Sequence, residues 1–379
     1  MTCLYIYQLV FTILNNIEKW ERGKNMSNYP RMEIYLSKIE HNAKRVMELC
    51  KSHDIEVTFV TKGFCAYSQI VEAVLRSGIK MVADSRISNL KKICEFQVPK
   101  MLLRIPMISE LDDVLEYADI VLMSEIETAR VLGMKAINKN KRQKVIIMVD
   151  LGDLREGFWF DNVVEAAGEF INIKGIELIG IGTNLFCYGG VIPSKENLGN
   201  LVRFAEKIEE RYNISLDIIS GGGTTSMYLV FNNQIPQKIN NLRIGEGILL
   251  AREAVFNEKG KDFYNDTFVL KAEVVEVKEK PSVPTGKIGK NAFGETPIFK
   301  DKGIITKAII AIGRQDIGPN DLIPEDERII VLGSSSDHTI LDINNCKKDY
   351  KVGDIINFKL TYAGMLRAMT SPYVEKAFI

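Results

Sequence analysis

The 379-residue sequence holds three histidines and two tryptophans, and neither sign of charge prevails. Lys plus Arg number 49 and Asp plus Glu number 49, for a formal net charge of zero. A nucleic-acid binder normally shows a basic excess, so that class is disfavoured. His41 and His53 lie in helical, charged stretches, and no H-x-x-E or similar spacing occurs, which gives a metal site little support. The six cysteines (Cys3, Cys50, Cys65, Cys94, Cys187 and Cys346) are scattered without a C-x-x-C pair. That pattern is neither a zinc knuckle nor a dense disulfide framework, and a reducing cytoplasm is the expected compartment. Long apolar runs are also missing. The most apolar stretch near a terminus, Cys3–Leu14, has 12 residues, too few to span a bilayer. No Lys or Arg precedes it and no small-residue cleavage site follows, so neither a membrane anchor nor a signal peptide is expected. Residues 1–28 read as an N-terminal extension of doubtful nativeness, with Met26 a natural alternative start, and stand outside the fold argument.

What is there is ordinary globular material, 46% apolar and 26% charged. From Met32 onward, short β-branched runs alternate with longer, charge-rich stretches at helical spacing. Eight such runs occur: Val57–Lys62, Met81–Arg86, Lys100–Ile105, Asp119–Ser124, Val145–Leu151, Glu177–Asn184, Asp217–Gly222 and Asn241–Gly247. They are mostly apolar rather than strictly alternating, as strands covered on both faces should be. Eight βα units fit an α/β fold of the (β/α)8 TIM-barrel type. An open doubly wound sheet is the alternative, but no G-x-G-x-x-G follows the first strand. After about residue 265 the helical texture fades. Short strands are expected at Phe268–Val277, Ile304–Ile312, Arg328–Leu332, Thr339–Asp342 and Ile355–Leu360, with Glu279–Gly303 as loops. The expected organisation is therefore a barrel over 29–265 and a C-terminal β-rich domain over 266–379.

In such a barrel the chemistry sits at the C-terminal strand ends. The first strand ends in Lys62. The fifth runs into Asp150–Gly157 with Arg155, and the sixth ends in Thr183-Asn184 with Cys187 beyond. The seventh opens into Ser-Gly-Gly-Gly-Thr-Thr-Ser at 220–226, and the eighth carries Arg243, Gly245 and Glu246. The loops after strands seven and eight are the usual phosphate site of this fold, built from backbone N–H groups and hydroxyls. A desolvated lysine can form a Schiff base with a carbonyl. A lone glycine-rich turn or a lone strand-end lysine has structural uses, but the conjunction at these strand ends points to pyridoxal phosphate, or to a phosphorylated sugar handled by an aldolase.

Longer stretches carry a resemblance. The run Thr58–Tyr67 (TFVTKGFCAY) resembles the cofactor-lysine segment of the alanine racemase-like, fold-type III enzymes; DLGDLREG at 150–157 and LRIGEG at 242–247 resemble two further segments of that family. ADSRISNLKK, TNLFCYGGVIP, EKPSVPTG and GSSSDH are similar to the ornithine racemases within it, over nearly the whole chain from about residue 30. The resemblance implies a pyridoxal phosphate barrel, a C-terminal β domain and a homodimer with shared active sites. It implies that Lys62 holds the cofactor, with Tyr67 near it, Arg155 at the phenolic oxygen and Arg243 at the ring nitrogen. Thr224, Thr225, Ser226, Gly245 and Tyr362 would serve the phosphate, and Asn184 stands where the family has a histidine beside the ring. One departure is visible: Arg314 in IGRQDIG occupies the place of the family's catalytic tyrosine. Racemisation needs a base on each face of the Cα centre. Lys62 is one, and His338, Asp337 and Asp316 are the candidates for the other. Glu246 is the one acid close to Arg243 in sequence, and by periodicity it points away from it. A distal ammonium on the substrate needs a carboxylate, for which Asp84, Glu125, Asp316 and Asp337 are candidates. The expected activity is interconversion of L- and D-ornithine. The rivals are an alanine or broad-specificity racemase, a decarboxylase or D-threonine aldolase relative, and a non-catalytic pyridoxal phosphate homeostasis protein. The last needs no second domain.

Overall fold

Strand pairing divides the chain into two units. The computed structural model describes residues 28–251 and 262–379. The N-terminal extension expected over residues 1–28 therefore lies almost wholly outside the described residues. Among the described residues, no helix is long and apolar enough to cross a membrane.

The first unit comprises Ile34–Phe268, Thr361–Thr370 and Phe378–Ile379. Its centre is a closed parallel barrel of eight strands: β2 (Glu56–Val60), β3 (Met81–Asp84), β4 (Lys100–Leu102), β5 (Ile120–Met123), β6 (Gln143–Val149), β7 (Ile176–Thr183), β8 (Ile218–Ser220) and β9 (Asn241–Ile244). Closure is made by β2 against β9, with Thr58 opposite Arg243. All eight expected strands are present. Their C-terminal ends stop one to three residues earlier than the apolar runs because each turn toward the barrel mouth begins there. The barrel interior is filled by Val60, Ala83, Met101, Leu122, Ile146 and Met148, a packed core rather than a pore. Helices cover the outside through an apolar stripe. In Lys195–Tyr212 the stripe is Leu198, Leu201, Ala205 and Ile208. That helix starts in a reciprocal cap between Ser194 and Asn197 and ends at Asn213 in the left-handed conformation.

The second unit comprises 28–33 with Val269–Leu360 and Ser371–Ala377. Its sheet runs β12 (Leu322–Pro324), β15 (Ile355–Leu360), β10 (Phe268–Pro281), β11 (Ile304–Ile310), β14 (Thr339–Asp342), β13 (Ile330–Ser334). To this, β1 (Arg31–Ile34) is added through β10, and β16 (Glu375–Phe378) through β1. The unit therefore takes in residues 31–33, which the sequence pattern had placed with the barrel, because β1 finds its backbone partners in β10 and β16. Conversely, Thr361–Thr370 belongs with the barrel. It forms the helix Tyr362–Thr370, whose Met365 reaches the turn after β2: a Cβ on Gly63 would stand 2.9 Å from Met365 Cε.

Candidate active site

Lys62 does not end a strand. It opens the 3-10 turn Lys62–Phe64, two residues beyond β2. The turn is locked from both sides. Thr61 N–H donates to the Ala83 carbonyl at 2.8 Å, and the Thr61 hydroxyl donates to Asp84 Oδ2 at 2.6 Å. Beyond the turn, Cys65 and Ala66 adopt positive φ and reverse the chain into the helix Ser68–Leu75. Asp84 is fully buried. Its carboxylate also accepts from Arg86 N–H and from Asn89 Nδ2, so every lone-pair direction is engaged. Burial raises its pKa, against the opposing pull of Thr61, Arg86, Asn89 and Lys62.

Arg243 sits on the opposite side of the closure. It is 6% exposed and donates from Nη2 to the Thr183 carbonyl at 2.6 Å and from Nη1 to Ser220 Oγ. Ser220 Oγ donates to Asn241 Oδ1, and Asn241 Nδ2 to Thr58 Oγ1, so the guanidinium ends a polar chain across β8, β9 and β2. Burial pushes the guanidinium down to about 10, which leaves it protonated at neutral pH. The acid that acts on it most is Glu156, not Glu246.

Between β8 and β9 the glycine-rich loop makes a cradle. Gly222 has φ +103°, a conformation that favours glycine, and a Cβ there would stand 2.8 Å from Ser226 Oγ. Its carbonyl accepts the Arg243 N–H at 2.9 Å, and Thr224 Oγ1 accepts from Gly247 N–H at 3.2 Å. Thr224 and Thr225 start a helical turn, Thr224–Ser226, and the first N–H groups of such a turn lack intrahelical partners.

These parts surround one cavity of about 410 Å³ in the barrel unit, lined by Lys62, Arg155, Asn184, Thr224, Thr225 and Arg243. Gly245 and Tyr362 line it too. Arg155 forks onto Glu156. Asn184 Nδ2 is buried without a hydrogen-bond partner. Burial raises the Tyr362 phenol well above the ordinary tyrosine range, reinforced by the nearby Glu246 carboxylate, so it stays protonated and can only donate or accept a hydrogen bond.

Two expected residues are elsewhere. Ser226 is buried and its hydroxyl donates to the Gly221 carbonyl at 2.7 Å; it braces the loop instead of facing the cavity. Tyr67 stands at the start of the helix Ser68–Leu75 without a side-chain cap, its ring 5.6 Å from that of Phe378. Conversely, Leu185 and Phe186 also line the cavity, with Cys187 and Glu246, to which the sequence assigns no role at the site. The signal for the first three is Asp153, two residues before Arg155. Its carboxylate accepts backbone N–H groups from Phe186, Tyr188 and Val191 and so holds their loop.

The remaining candidates lie in the β-rich unit and are brought together there. Arg314 N–H donates to the Ser335 carbonyl at 2.8 Å and Gln315 N–H to the Ser336 carbonyl at 2.9 Å. Gly313 is required at this junction, since a Cβ would stand 2.4 Å from Asp337 N. His338 Nδ1 is 3.0 Å from Asp337 Oδ1, both side chains about half exposed or more. Arg314 is gripped by both Glu295 oxygens and lies over the Phe293 ring. Asp316 is buried and accepts the Ser371 hydroxyl, which leaves its carboxylate a turn-stabilising role.

A parallel barrel that gathers a lysine, two arginines and a glycine–threonine cradle at its strand ends is built to hold a phosphorylated ligand beside an amine. The alanine racemase N-terminal domain model matches residues 34–253. Ornithine racemase from Acetoanaerobium sticklandii is 44% identical over 352 residues, 93% of this chain and 100% of that protein. Lysine racemase from Thermotoga maritima is 42% identical over 352 residues, 92% of this chain and 98% of that one. The solved alanine racemase of Clostridium difficile 630 shares the fold, with a TM-score of 0.68 at 16% identity, covering 93% of this chain and 96% of that one. The chain belongs to the alanine racemase family, whose members are pyridoxal phosphate-dependent isomerases.

Proposed function

We propose that this amino-acid racemase binds pyridoxal phosphate at Lys62 and interconverts L- and D-ornithine, as a cytoplasmic homodimer. The observation that carries the reading is the convergence of Lys62, Arg243 and the cradle Gly223–Thr225 on one cavity into which Asn184 Nδ2 brings an unpartnered buried donor. The residues fit the cofactor: a primary amine for its aldehyde, Thr224, Thr225 and the first-turn N–H groups for its phosphate, and donors for its ring substituents. Bound there, the cofactor would supply an electron sink for the electron pair left at the substrate Cα.

The rest is the work of the chain. Lys62 Nζ would abstract or return the substrate Cα proton on one face. Arg243 stays protonated and would face the ring nitrogen, so it disfavours a second proton there; that limits the sink and favours quick reprotonation at Cα over side reactions. Tyr362 remains a neutral hydrogen-bonding group. Asp337 and His338, on the turn that carries Arg314 in place of the family's tyrosine, would serve the other face, supplied by the β-rich unit of a second copy. Asp337 orients the imidazole, which exchanges the proton.

Chiral chromatography of ornithine, lysine, alanine, serine and arginine after incubation with the enzyme tests the substrate. The cofactor is tested by visible absorbance that vanishes on borohydride reduction, with the label on Lys62. Racemised ornithine and a labelled Lys62 are expected. A colourless protein that takes up no pyridoxal phosphate would overturn the reading.

A further inference from the structure

Asn241 lies two residues before Arg243 on β9, and so on the same face of that strand. With Ser220 and Thr58 it makes a set of buried, uncharged polar side chains in a barrel otherwise packed by Val60, Ile146 and Met148. Such groups are costly to bury unless each is bonded, and here each is. Arginine has no acceptor, so Ser220 Oγ can only accept from Arg243 Nη1. The Ser220 proton then goes to Asn241 Oδ1 at 2.6 Å. The amide is held in that orientation from its other end: Nδ2 donates to Thr58 Oγ1 at 2.8 Å and to the Glu56 carbonyl, which only accepts, at 3.4 Å. Thr58 Oγ1 donates in turn to Met81 Sδ at 3.3 Å. A reversed amide would turn its NH2 toward the Ser220 proton and its oxygen toward the Glu56 carbonyl, so the sense of the chain is fixed.

We propose that Asn241 is a positioning residue for Arg243: through Ser220 it sets the plane in which the guanidinium meets the ligand of the cavity. The identity of that ligand rests on the racemase reading above. Nη2 donates to the Thr183 carbonyl and Nη1 to Ser220, and bonds at two different nitrogens stop the group from swinging. The other N–H donors of the guanidinium are left for the cavity that Arg243 lines. With the Thr183 bond alone the group would pivot. Neither Ser220 nor Asn241 is among the described residues lining that cavity, so Asn241 reaches the ligand only through Ser220 and Arg243.

Phenylglyoxal labelling of Arg243 in the cofactor-free protein, located by peptide mass spectrometry, reads the hold on the guanidinium without catalysis. Arg155, at the same cavity, is the reference. Ser220→Ala should speed labelling of Arg243 by about 10–100-fold, the usual worth of a hydrogen bond to a charged group, and Asn241→Leu by about 2–10-fold, that of one between neutral groups. The double variant should match Ser220→Ala, because Asn241 acts only through Ser220. Asn241→Asp keeps an oxygen facing the Ser220 proton and should label no faster than wild type. Asn241→Ala takes the place of the leucine variant if that one does not fold. In the holoenzyme the second readout is keto acid released per ornithine racemised, since in half-transamination the substrate amino group stays on the cofactor and the keto acid leaves. That ratio should rise in Asn241→Leu and return toward wild type in Asn241→Asp. Labelling unmoved by Asn241→Leu, effects that multiply in the double variant, an equal rise at Arg155, or a keto-acid ratio unmoved while labelling shifts would overturn the proposal. A wild type that takes up no pyridoxal phosphate, or racemises nothing, overturns the racemase reading instead, and the labelling still decides Asn241.

Discussion

The carboxylate of Asp153 accepts the backbone N–H of Phe186 at 2.9 Å, so an acid in the loop after β6 holds the loop after β7. Tyr188 and Val191 add their N–H groups to the same carboxylate. The held loop brings Leu185, Phe186 and Cys187 to the cavity wall. Burial pushes the Asp153 carboxyl up, but these backbone donors outweigh it and keep the carboxyl below its usual range.

That relationship has a pH signature. A carboxyl whose pKa is lower folded than unfolded contributes stability that is present above its unfolded value, about 3.9, and lost as pH falls through the lower folded value. Wild-type thermal stability should therefore fall below about pH 4 partly through Asp153. Asp153→Asn should lose about 1–3 kcal/mol at neutral pH, since an amide leaves buried N–H groups poorly satisfied. It should also show a flatter decline in Tm between pH 6 and pH 3. Thermal melts of both proteins across that range check this. Parallel curves would assign the acid sensitivity to other groups.

Gly222→Ala should damage the cradle rather than the barrel. The added methyl stands 2.8 Å from Ser226 Oγ at a backbone φ of +103°. An L-residue there costs about 1–2 kcal/mol. Relief of the strain must move Thr224 and Thr225, so the affinity for pyridoxal phosphate should drop by about tenfold or more while the far-ultraviolet circular dichroism stays unchanged. Fluorescence titration of the apoprotein with the cofactor measures it. Wild-type affinity in the alanine variant would remove the loop from the phosphate site.

His338→Asn should divide the two faces of the reaction. Exchange of the Cα proton by Lys62 should continue from one enantiomer, while proton transfer on the opposite face falls by roughly 10²–10⁴-fold. Deuterium uptake in D₂O, followed separately from each enantiomer, shows the difference. Equal losses from both enantiomers would make His338 a group that only positions substrate, and near-wild-type rates would take it out of the reaction.

Much of this site is local in sequence. The lysine turn, the Asp150–Gly157 stretch, the glycine-rich run and Arg243 each occupy a few consecutive residues after an apolar strand. A strand covered on both faces announces itself by continuous apolar character, as Val145–Val149 does. Closure of eight such strands then brings their ends to one rim whatever the loops contain. What the sequence determined by itself was therefore the barrel, its order and the strand ends that carry charge.

Direction, pairing and hydrogen-bond economy were decided elsewhere. Ser226 reads like its neighbours Thr224 and Thr225, but the helical turn points its hydroxyl back to the Gly221 carbonyl. Asp84 reads as an open acid at a strand end, but Thr61 and Asn89 close over it. Glu246 reads as a residue facing away, and the turn at Gly245 places it on the cavity wall. The strand Arg31–Ile34 and the helix Tyr362–Thr370 each join a unit distant in sequence, because a β edge and an apolar helix face take their partners from wherever the chain returns. Periodicity specifies which face of an element is apolar; only the tertiary structure decides what that face, or a polar atom at its end, meets.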